Sequence, residues 1–168
     1  LDIADEILVV DDGSDDRTAV EAAAVGATVL QHPYNIGNGA AVKTGLRHAT
    51  SDVILFLDGD GQHDPRDIPE LLGHMDAYDM AVGARTKDAK VSPFRSLGNW
   101  GLIKLAEYLS GHKIPDLTSG FRAFRRDKIL RFVHLLPNRY SYPTTSILAF
   151  LQAGHTIRYV PLDTIRRR

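Results

Sequence analysis

The sequence predicts an α/β fold with a mainly parallel central sheet, and three observations carry that prediction. Short apolar stretches of strand type alternate with segments of helical composition. Two of the strand-like stretches break off directly into pairs of carboxylates, Asp11 with Asp12 and Asp58 with Asp60. Because the carboxyl ends of parallel strands share one edge of the sheet, where ligands bind, we expect these carboxylates to converge there.

The first elements follow from composition and capping signals. A β-branched apolar run over 6–10 predicts the first strand. Ser14 or Asp15 can then cap a helix that ends near Gly26, because glycine readily takes the conformation that stops a helix. A second short strand is predicted over 27–30.

The middle elements lead to the acidic turn and away from it. Helix-forming composition over 40–49 precedes the apolar run over 52–57, which predicts a buried strand. Pro65 stands near the start of a further helix over 67–75, because proline is tolerated in a first helical turn. The next strand is predicted over 80–82.

The second half of the chain is less regular. An amphipathic helical pattern runs over 92–110, and 121–126 alternates like a strand. A helix over 144–153, ended by glycine, precedes a last strand over 156–160. With no internal repeat and no low-complexity linker, we expect one domain over 1–168, cut at both ends.

Composition excludes several classes of protein. The 168 residues are 43% hydrophobic and 24% charged, which suits one compact domain. The sequence has no cysteine, so neither a disulfide scaffold nor a thiolate metal site is available. It shows no signal peptide and no apolar run near the roughly 18 residues of a membrane span. We therefore expect a soluble or peripheral protein from a reducing compartment.

The net charge of −1 conceals two unlike halves. Residues 1–88 carry 17 acidic and 6 basic side chains, whereas residues 89–168 carry 4 and 14. An acidic half suits divalent cations, and a basic half suits phosphate or an anionic membrane surface. Simple attraction between the two halves is the alternative explanation.

The acidic turn after the strand over 52–57 has the chemistry of a cation site. Clustered hard oxygen ligands favour Mg²⁺ or Mn²⁺ held jointly with substrate phosphates, and Gln62 and His63 could complete or orient the shell. A calcium loop of EF-hand type would need glycine where His63 stands, which is the sixth residue of a loop that starts at Asp58. A haloacid-dehalogenase-like phosphatase would need Thr or Val in place of Gln62, so both alternatives are disfavoured.

The loop Asn35-Ile36-Gly37-Asn38-Gly39 places two glycines ahead of a predicted helix. Such a loop suits close approach of backbone to a ligand, although a simple tight turn explains the same pattern. It is not the dinucleotide-binding fingerprint, because Val42 occupies the position of the third glycine.

Five ordered motifs together resemble family 2 glycosyltransferases of the GT-A fold. They are Val10-Asp11-Asp12-Gly13-Ser14 with Asp16, Asn35-x-Gly37-x-Gly39-x-Ala41, Asp58-Gly59-Asp60-Gly61-Gln62-His63-x-Pro65, Val82-Gly83-Ala84-Arg85, and Thr118-Ser119-Gly120-Phe121-Arg122-x-Phe124-Arg125-Arg126. The last two motifs and the Gln62-His63 ending resemble most the branch of dolichol-phosphate mannose synthase. The resemblance implies a Rossmann-like three-layer sandwich whose first strand is missing from this chain.

The resemblance also implies roles for the donor side. Asp11, Asp12, Asn35, Gly37, Gly39 and Asp58 would bind the nucleotide sugar. Asp60 and Gln62 would hold Mg²⁺ or Mn²⁺ on the donor diphosphate, and this makes Asp60 catalytic. Asn38 stands where relatives often have lysine, so a donor contact at that position is not implied.

On the acceptor side, the resemblance implies that Arg85, Ser119 and Arg122 grip a phosphate, with Arg122 also catalytic. A guanidinium can make two parallel hydrogen bonds to phosphate oxygens. An alcohol acceptor would need a general base, yet no Asp or Glu occurs between Asp127 and Asp163. A phosphate monoester is already anionic at neutral pH, because its second pKa is about 6.

We therefore expect an inverting, metal-dependent transfer of a sugar from a UDP- or GDP-linked donor to a dolichyl or undecaprenyl phosphate. The protein would work at the cytoplasmic face of a membrane, peripherally or anchored by segments outside this chain, and without a nucleic-acid partner. The alternatives are a family 2 enzyme acting on a saccharide hydroxyl, a nucleotidyltransferase of similar fold, and a degenerate binding module.

Overall fold

The computed structural model describes residues 3–85, 101, 103–108 and 111–162, with the backbone alone for Arg85. The strands are Leu8–Asp11 (β1), Thr28–Gln31 (β2), Val53–Phe56 (β3), Met80–Arg85 (β4), Arg122–Arg125 (β5) and Ile157–Leu162 (β6). The α-helices are Thr18–Ala24 (α1), Asn38–His48 (α2), Ile68–Leu72 (α3), 103–108 (α4), Arg126–Ile129 (α5) and Tyr142–Gln152 (α6). Two 3₁₀ helices cover Pro65–Asp67 and Leu130–Leu135.

The strands form two sheets. The strands β1 and β2 pair in parallel, and a four-stranded sheet has the order β3-β5-β4-β6. In the larger sheet β5 is antiparallel to both β3 and β4, whereas β4 and β6 are parallel. The strands β3, β4 and β6 therefore run in one direction, which confirms the predicted α/β fold with mainly parallel strands.

The two sheets are joined at the side where β1 and β3 begin. The backbone N–H of Thr50, just before β3, donates to Oε2 of Glu6, just before β1, at 3.2 Å. The two strands β1 and β3 therefore begin close to each other.

The larger sheet is buried on both faces. Met80 and Val82 of β4 belong to one hydrophobic cluster, and Ala81, between them, belongs to the other. Phe124 and Ala123 of β5 divide between the clusters in the same way. Since successive side chains of a strand point to opposite faces, the sheet is the middle of three layers, as expected.

Several element boundaries differ from the sequence-based prediction. Helix α1 begins at Thr18, whose N–H donates to Oδ1 of Asp16 at 2.9 Å, so neither Ser14 nor Asp15 supplies that bond. Strand β5 is antiparallel, which an alternating pattern cannot reveal. Of the amphipathic pattern over 92–110, residues 101 and 103–108 are described and helical, and the rest lies outside the described residues.

No helix in the described ranges has the length and apolarity needed to cross a membrane.

Candidate active site

The acidic turn after β3 is shaped by its own carboxylates. Oδ1 of Asp60 accepts from the N–H of Gln62 at 2.9 Å, and Gly61 takes a φ of +73°. Further along, the side chain of Asp64 accepts from the N–H of Arg66 and caps the short 3₁₀ helix. These local bonds leave Asp60 exposed at the end of β3.

Asp58 sits beside the loop that precedes β5. Its carboxylate lies against the α-carbon of Gly120, because a Cβ there would be 2.8 Å from Cγ of Asp58. Burial raises the pKa of Asp58, and the charge of Asp60 raises it further, whereas His63 and Arg122 act in the opposite direction. Within the described residues no hydrogen bond to the Asp58 carboxylate is seen, and the side chain is partly buried.

The residues present fit a divalent cation that is shared with a diphosphate. Asp58, Asp60 and Gln62 supply two carboxylates and an amide, and Mg²⁺ commonly takes one or two protein carboxylates with the remaining ligands from phosphate and water. A cation would also offset the burial and the charge of Asp60 that raise the pKa of Asp58. No group of three or more His, Asp or Glu suited to a metal occurs in the part of the chain that is described. Among the described residues, Asp11 and Asp12 therefore do not form a cation site together with Asp58 and Asp60.

Asp11 and Asp12 use their carboxylates inside the protein. Asp11 is 3% exposed, and its Oδ2 accepts from Nε2 of Gln31 at 3.0 Å. Asp12 accepts from the N–H groups of Ile36 and Gly37 at 3.0 and 2.7 Å. Both side chains hold the loops after β1 and β2 in place, and the donor contact that the resemblance implies for them stays a prediction.

His32 contacts the Asp12 carboxylate, and the sequence analysis did not name it. Its Nδ1 lies 2.7 Å from Oδ1 of Asp12, and its Nε2 lies 2.9 Å from Oγ1 of Thr44 on α2. Because a carboxylate only accepts, Nδ1 is the nitrogen that carries the proton toward Asp12. Burial opposes ionisation of Asp12, but the hydrogen bonds from His32, Ile36 and Gly37 outweigh it and lower the pKa of Asp12. The sequence signal that could have identified His32 is its position directly after the strand β2.

Gly37 and Gly39 serve close packing of α2. A Cβ at residue 37 would lie 2.6 Å from the carbonyl oxygen of Asn138, and one at residue 39 would lie 2.8 Å from that of Arg139. The N–H groups of Gly39 and Ala40 donate to the Arg139 and Asn138 carbonyls at 3.0 and 2.8 Å. Protein carbonyls therefore contact the start of α2, and the donor contact expected of these glycines stays a prediction.

Arg122 and Ser119 are buried, and the expected grip of these residues on an acceptor phosphate stays a prediction. Arg122 is 0% exposed, and its Nε donates to the Ser119 carbonyl at 2.5 Å. Its Nη1 donates to the Pro143 carbonyl and to Oγ of Ser146, so the guanidinium ties the loop before β5 to the start of α6. Burial lowers the pKa of Arg122 to about 10. Arg85 is the last residue of β4, and its side chain lies outside the described residues.

Curated relatives cover most of this chain. An uncharacterized protein of Methanocaldococcus jannaschii is 34% identical over 95% of this chain and 70% of its own length. The UDP-N-acetylglucosamine–dolichyl-phosphate N-acetylglucosaminyltransferase of Methanococcus voltae is 30% identical over 96% of this chain and 75% of its own length. The undecaprenyl-phosphate 4-deoxy-4-formamido-L-arabinose transferase of Klebsiella pneumoniae is 34% identical over 72% of this chain and 39% of its own length.

Solved structures and a family model identify the fold and the family. Glucosyl-3-phosphoglycerate synthase of Mycobacterium tuberculosis, crystallised with Mn²⁺ and UDP-glucose, superposes with a TM-score of 0.77 at 24% identity. That likeness covers 98% of this chain and 61% of the solved chain, so this chain spans about three fifths of its length. The model for glycosyl transferase family 2 matches residues 2–131. The chain therefore has the GT-A fold and belongs to glycosyl transferase family 2.

Proposed function

We propose that this chain carries the catalytic domain of an inverting, metal-dependent glycosyltransferase that moves one sugar from a nucleotide-sugar donor to a polyprenyl phosphate. The observation that carries the acceptor class is the Methanococcus voltae relative, which is 30% identical over 96% of this chain and is named for dolichyl phosphate. The Klebsiella pneumoniae relative is named for undecaprenyl phosphate. Both acceptors are polyprenyl phosphates, which supports that class for this chain.

The donor diphosphate is proposed to lie at the end of β3. Asp58, Asp60 and Gln62 would hold Mg²⁺ or Mn²⁺, which supplies Lewis-acid stabilisation of the charge on the leaving diphosphate when bound. Asn35 is exposed on the loop that Asp12 fixes, so it is available to the base or ribose. The donor would be UDP- or GDP-linked, and UDP is the nucleotide in the name of the Methanococcus voltae relative.

The proposed reaction is a direct displacement. An oxygen of the acceptor phosphate attacks the anomeric carbon, and the bond from that carbon to the donor diphosphate breaks. The electron pair of that bond leaves with the nucleoside diphosphate, and the sugar is inverted. A phosphate monoester with a second pKa of about 6 needs no general base for this attack. The start of α6 carries Tyr142, Thr144 and Thr145 and no acidic side chain that could act as a general base. An acceptor phosphate needs none.

A lipid-linked acceptor requires the domain to work beside a membrane, which we propose to be at its cytoplasmic face. On α4, Leu105 is 54% exposed and Tyr108 is 84% exposed. Lys104 on the same helix and Lys113 beyond it are also exposed. Apolar and aromatic side chains next to lysines suit the headgroup region of an anionic membrane.

The test follows transfer of radiolabelled sugar with the full-length protein, Mn²⁺ and dolichyl or undecaprenyl phosphate. We expect label in the organic phase, and we expect Asp60→Asn to lower that transfer by orders of magnitude. Asp76→Asn changes an exposed carboxylate away from the site and should leave transfer unchanged. Label on a soluble saccharide, or release of pyrophosphate in place of nucleoside diphosphate, would overturn the proposed acceptor or the proposed reaction.

A further inference from the structure

The acidic turn after β3 contacts the loop before β5 at both of its ends. At the first end, the Asp58 carboxylate lies against the α-carbon of Gly120. At the other end, the ring of His63 lies against the ring of Phe121, with 5.2 Å between the ring centroids and 34° between the ring planes. Because Gly120 and Phe121 are consecutive, one short loop supports the turn at both of these places.

Phe121 gives the turn a firm support. It is 0% exposed and belongs to the hydrophobic cluster that includes Leu71 and Val160. Its carbonyl accepts from the N–H of Gly83 on β4 at 3.0 Å, and a Cβ on that glycine would lie only 3.1 Å from Cδ1 of the Phe121 ring. Since the ring is close-packed against β4, a second ring that packs on it takes a defined position.

The part of the turn between these two contacts carries Asp60 and Gln62. Oδ1 of Asp60 accepts from the N–H of Gln62 at 2.9 Å, and that bond lies within the turn. In the described part of the chain, no hydrogen bond or ion pair joins residues 59–63 to a residue outside the turn. The place of Asp60 and Gln62 relative to Asp58 therefore depends on the contact of His63 with Phe121.

The nitrogens of His63 do not explain where its side chain lies. Nδ1 is buried and has no hydrogen-bond partner among the described residues, which is a costly state for a polar atom. Within the same residues, His63 forms no group of three with Asp or Glu side chains that could hold a metal ion. The contact that accounts for its position is the packing of the ring on Phe121.

We propose that His63 is a positioning residue of the donor site, whose ring holds Asp60 and Gln62 in place for a divalent cation on a nucleoside diphosphate. Of completing and orienting the metal shell, His63 has the orienting role, and it acts through its ring rather than through a ring nitrogen. This inference rests on the proposed function for the donor site alone and does not depend on the acceptor.

The test compares variants of the full-length protein in the binding of Mn²⁺ together with UDP or GDP. Electron paramagnetic resonance of free Mn²⁺ measures the bound fraction without an acceptor and without turnover. His63→Ala removes the ring, and His63→Asn keeps only a nitrogen near the place of Nδ1, so both should weaken Mn²⁺ binding about tenfold or more. His63→Phe keeps a ring without nitrogens and should retain most of the affinity of the parent.

His74→Ala is the matched control. His74 follows α3, outside the acidic turn, and its ring packs on that of Tyr78 with 6.3 Å between the centroids. The control removes a histidine–aromatic contact of the same kind and should leave Mn²⁺ binding unchanged. Urea unfolding of every variant gives the folded fraction, so that a loss of affinity is distinguished from a loss of folded protein.

Three results would overturn the inference. Equal weakening by His63→Phe and His63→Ala would show that a ring nitrogen acts, as a metal ligand or as a hydrogen-bond donor. Unchanged affinity in His63→Ala would show that the turn does not need the ring contact. A parent protein that binds Mn²⁺ with neither nucleotide would overturn the proposed donor site itself, which differs from a defect confined to the His63 variants.

Discussion

The carboxylate of Asp58 lies against the α-carbon of Gly120, and no side chain fits between them. A Cβ on residue 120 would lie 2.8 Å from Cγ of Asp58 and 3.2 Å from its Oδ1. The loop before β5 thus forms the wall against which the first carboxylate of the acidic turn is placed. The buried guanidinium of Arg122 holds that loop by its bond to the carbonyl of Ser119.

Gly120→Ala should displace the Asp58 carboxylate and weaken donor binding. We expect at least tenfold weaker binding of nucleoside diphosphate in the presence of Mn²⁺, because small displacements of positioned groups are costly. Overpacking should also lower the free energy of unfolding by about 1–3 kcal/mol. Calorimetric titration and urea unfolding measure the two effects. Gly101→Ala is the control, since a Cβ there meets no atom of the described residues within 4 Å. Unchanged nucleotide affinity in Gly120→Ala would contradict this placement.

Asp58→Asn should stabilise the fold while abolishing activity. Burial raises the pKa of Asp58, so the charged carboxylate destabilises the folded protein at pH values above that pKa. The gain from Asn should be present at pH 7 and should vanish by about pH 3, well below the unfolded pKa of about 3.9, where the carboxyl is protonated in both folded and unfolded states. Urea unfolding at both pH values checks this sign. A variant that is less stable than the parent at pH 7 would show that the Asp58 charge is compensated.

Gly39→Ala should break the packing of α2 on residues 137–139. The added methyl would meet the Arg139 carbonyl at 2.8 Å, and we expect a loss of about 2–4 kcal/mol in the free energy of unfolding. Gly45→Ala on the same helix is the control, because its Cβ would lie 3.4 Å from Cγ2 of Val10. That variant should be neutral or gain up to about 1 kcal/mol from helix propensity. Equal effects of the two substitutions would argue against the close contact.

Asp12 should contribute an acid-dependent part of the stability. Its pKa is lowered in the folded state, so its contribution is complete above the unfolded pKa of about 3.9 and is lost as the pH falls through the folded value. Asp12→Asn should cost about 1–3 kcal/mol at pH 7 and should flatten the decline of stability below pH 4. Urea midpoints measured between about pH 3 and 7 test this, with Asp76→Asn as an exposed control. Parallel profiles for the parent and Asp12→Asn would refute the role.

Arg122→Lys should be strongly destabilising although it keeps the charge. An ammonium cannot reach the Ser119 and Pro143 carbonyls together, so buried acceptors are left unpaired at about 1–3 kcal/mol each. The matched control is Arg125→Lys, whose guanidinium makes an exposed 3.4 Å bond to the carbonyl of Asp76. We expect that change to stay within about 0.5 kcal/mol. Comparable losses in the two variants, measured by thermal unfolding, would contradict a special role for Arg122.

Much of the fold could be predicted from the sequence because its signals are local. The apolar runs that became β1 to β6, and the helical composition of α2 and α6, appear within a few consecutive residues. The acidic turn could be located for the same reason, since Asp58 and Asp60 directly follow a strand. The ordered motifs likewise pointed to glycosyl transferase family 2, which the family model confirms.

The roles of individual side chains were decided only by the tertiary structure. Asp12 and Asp58 look alike in the sequence, yet one is satisfied by His32 and loop amides while the other has no hydrogen-bond partner among the described residues. Gly39 and Arg122 looked like ligand contacts, and distant segments of the chain cover both. Burial and hydrogen bonding depend on residues far apart in sequence, so the sequence located the charged turn and the packing determined which of its groups are free to bind.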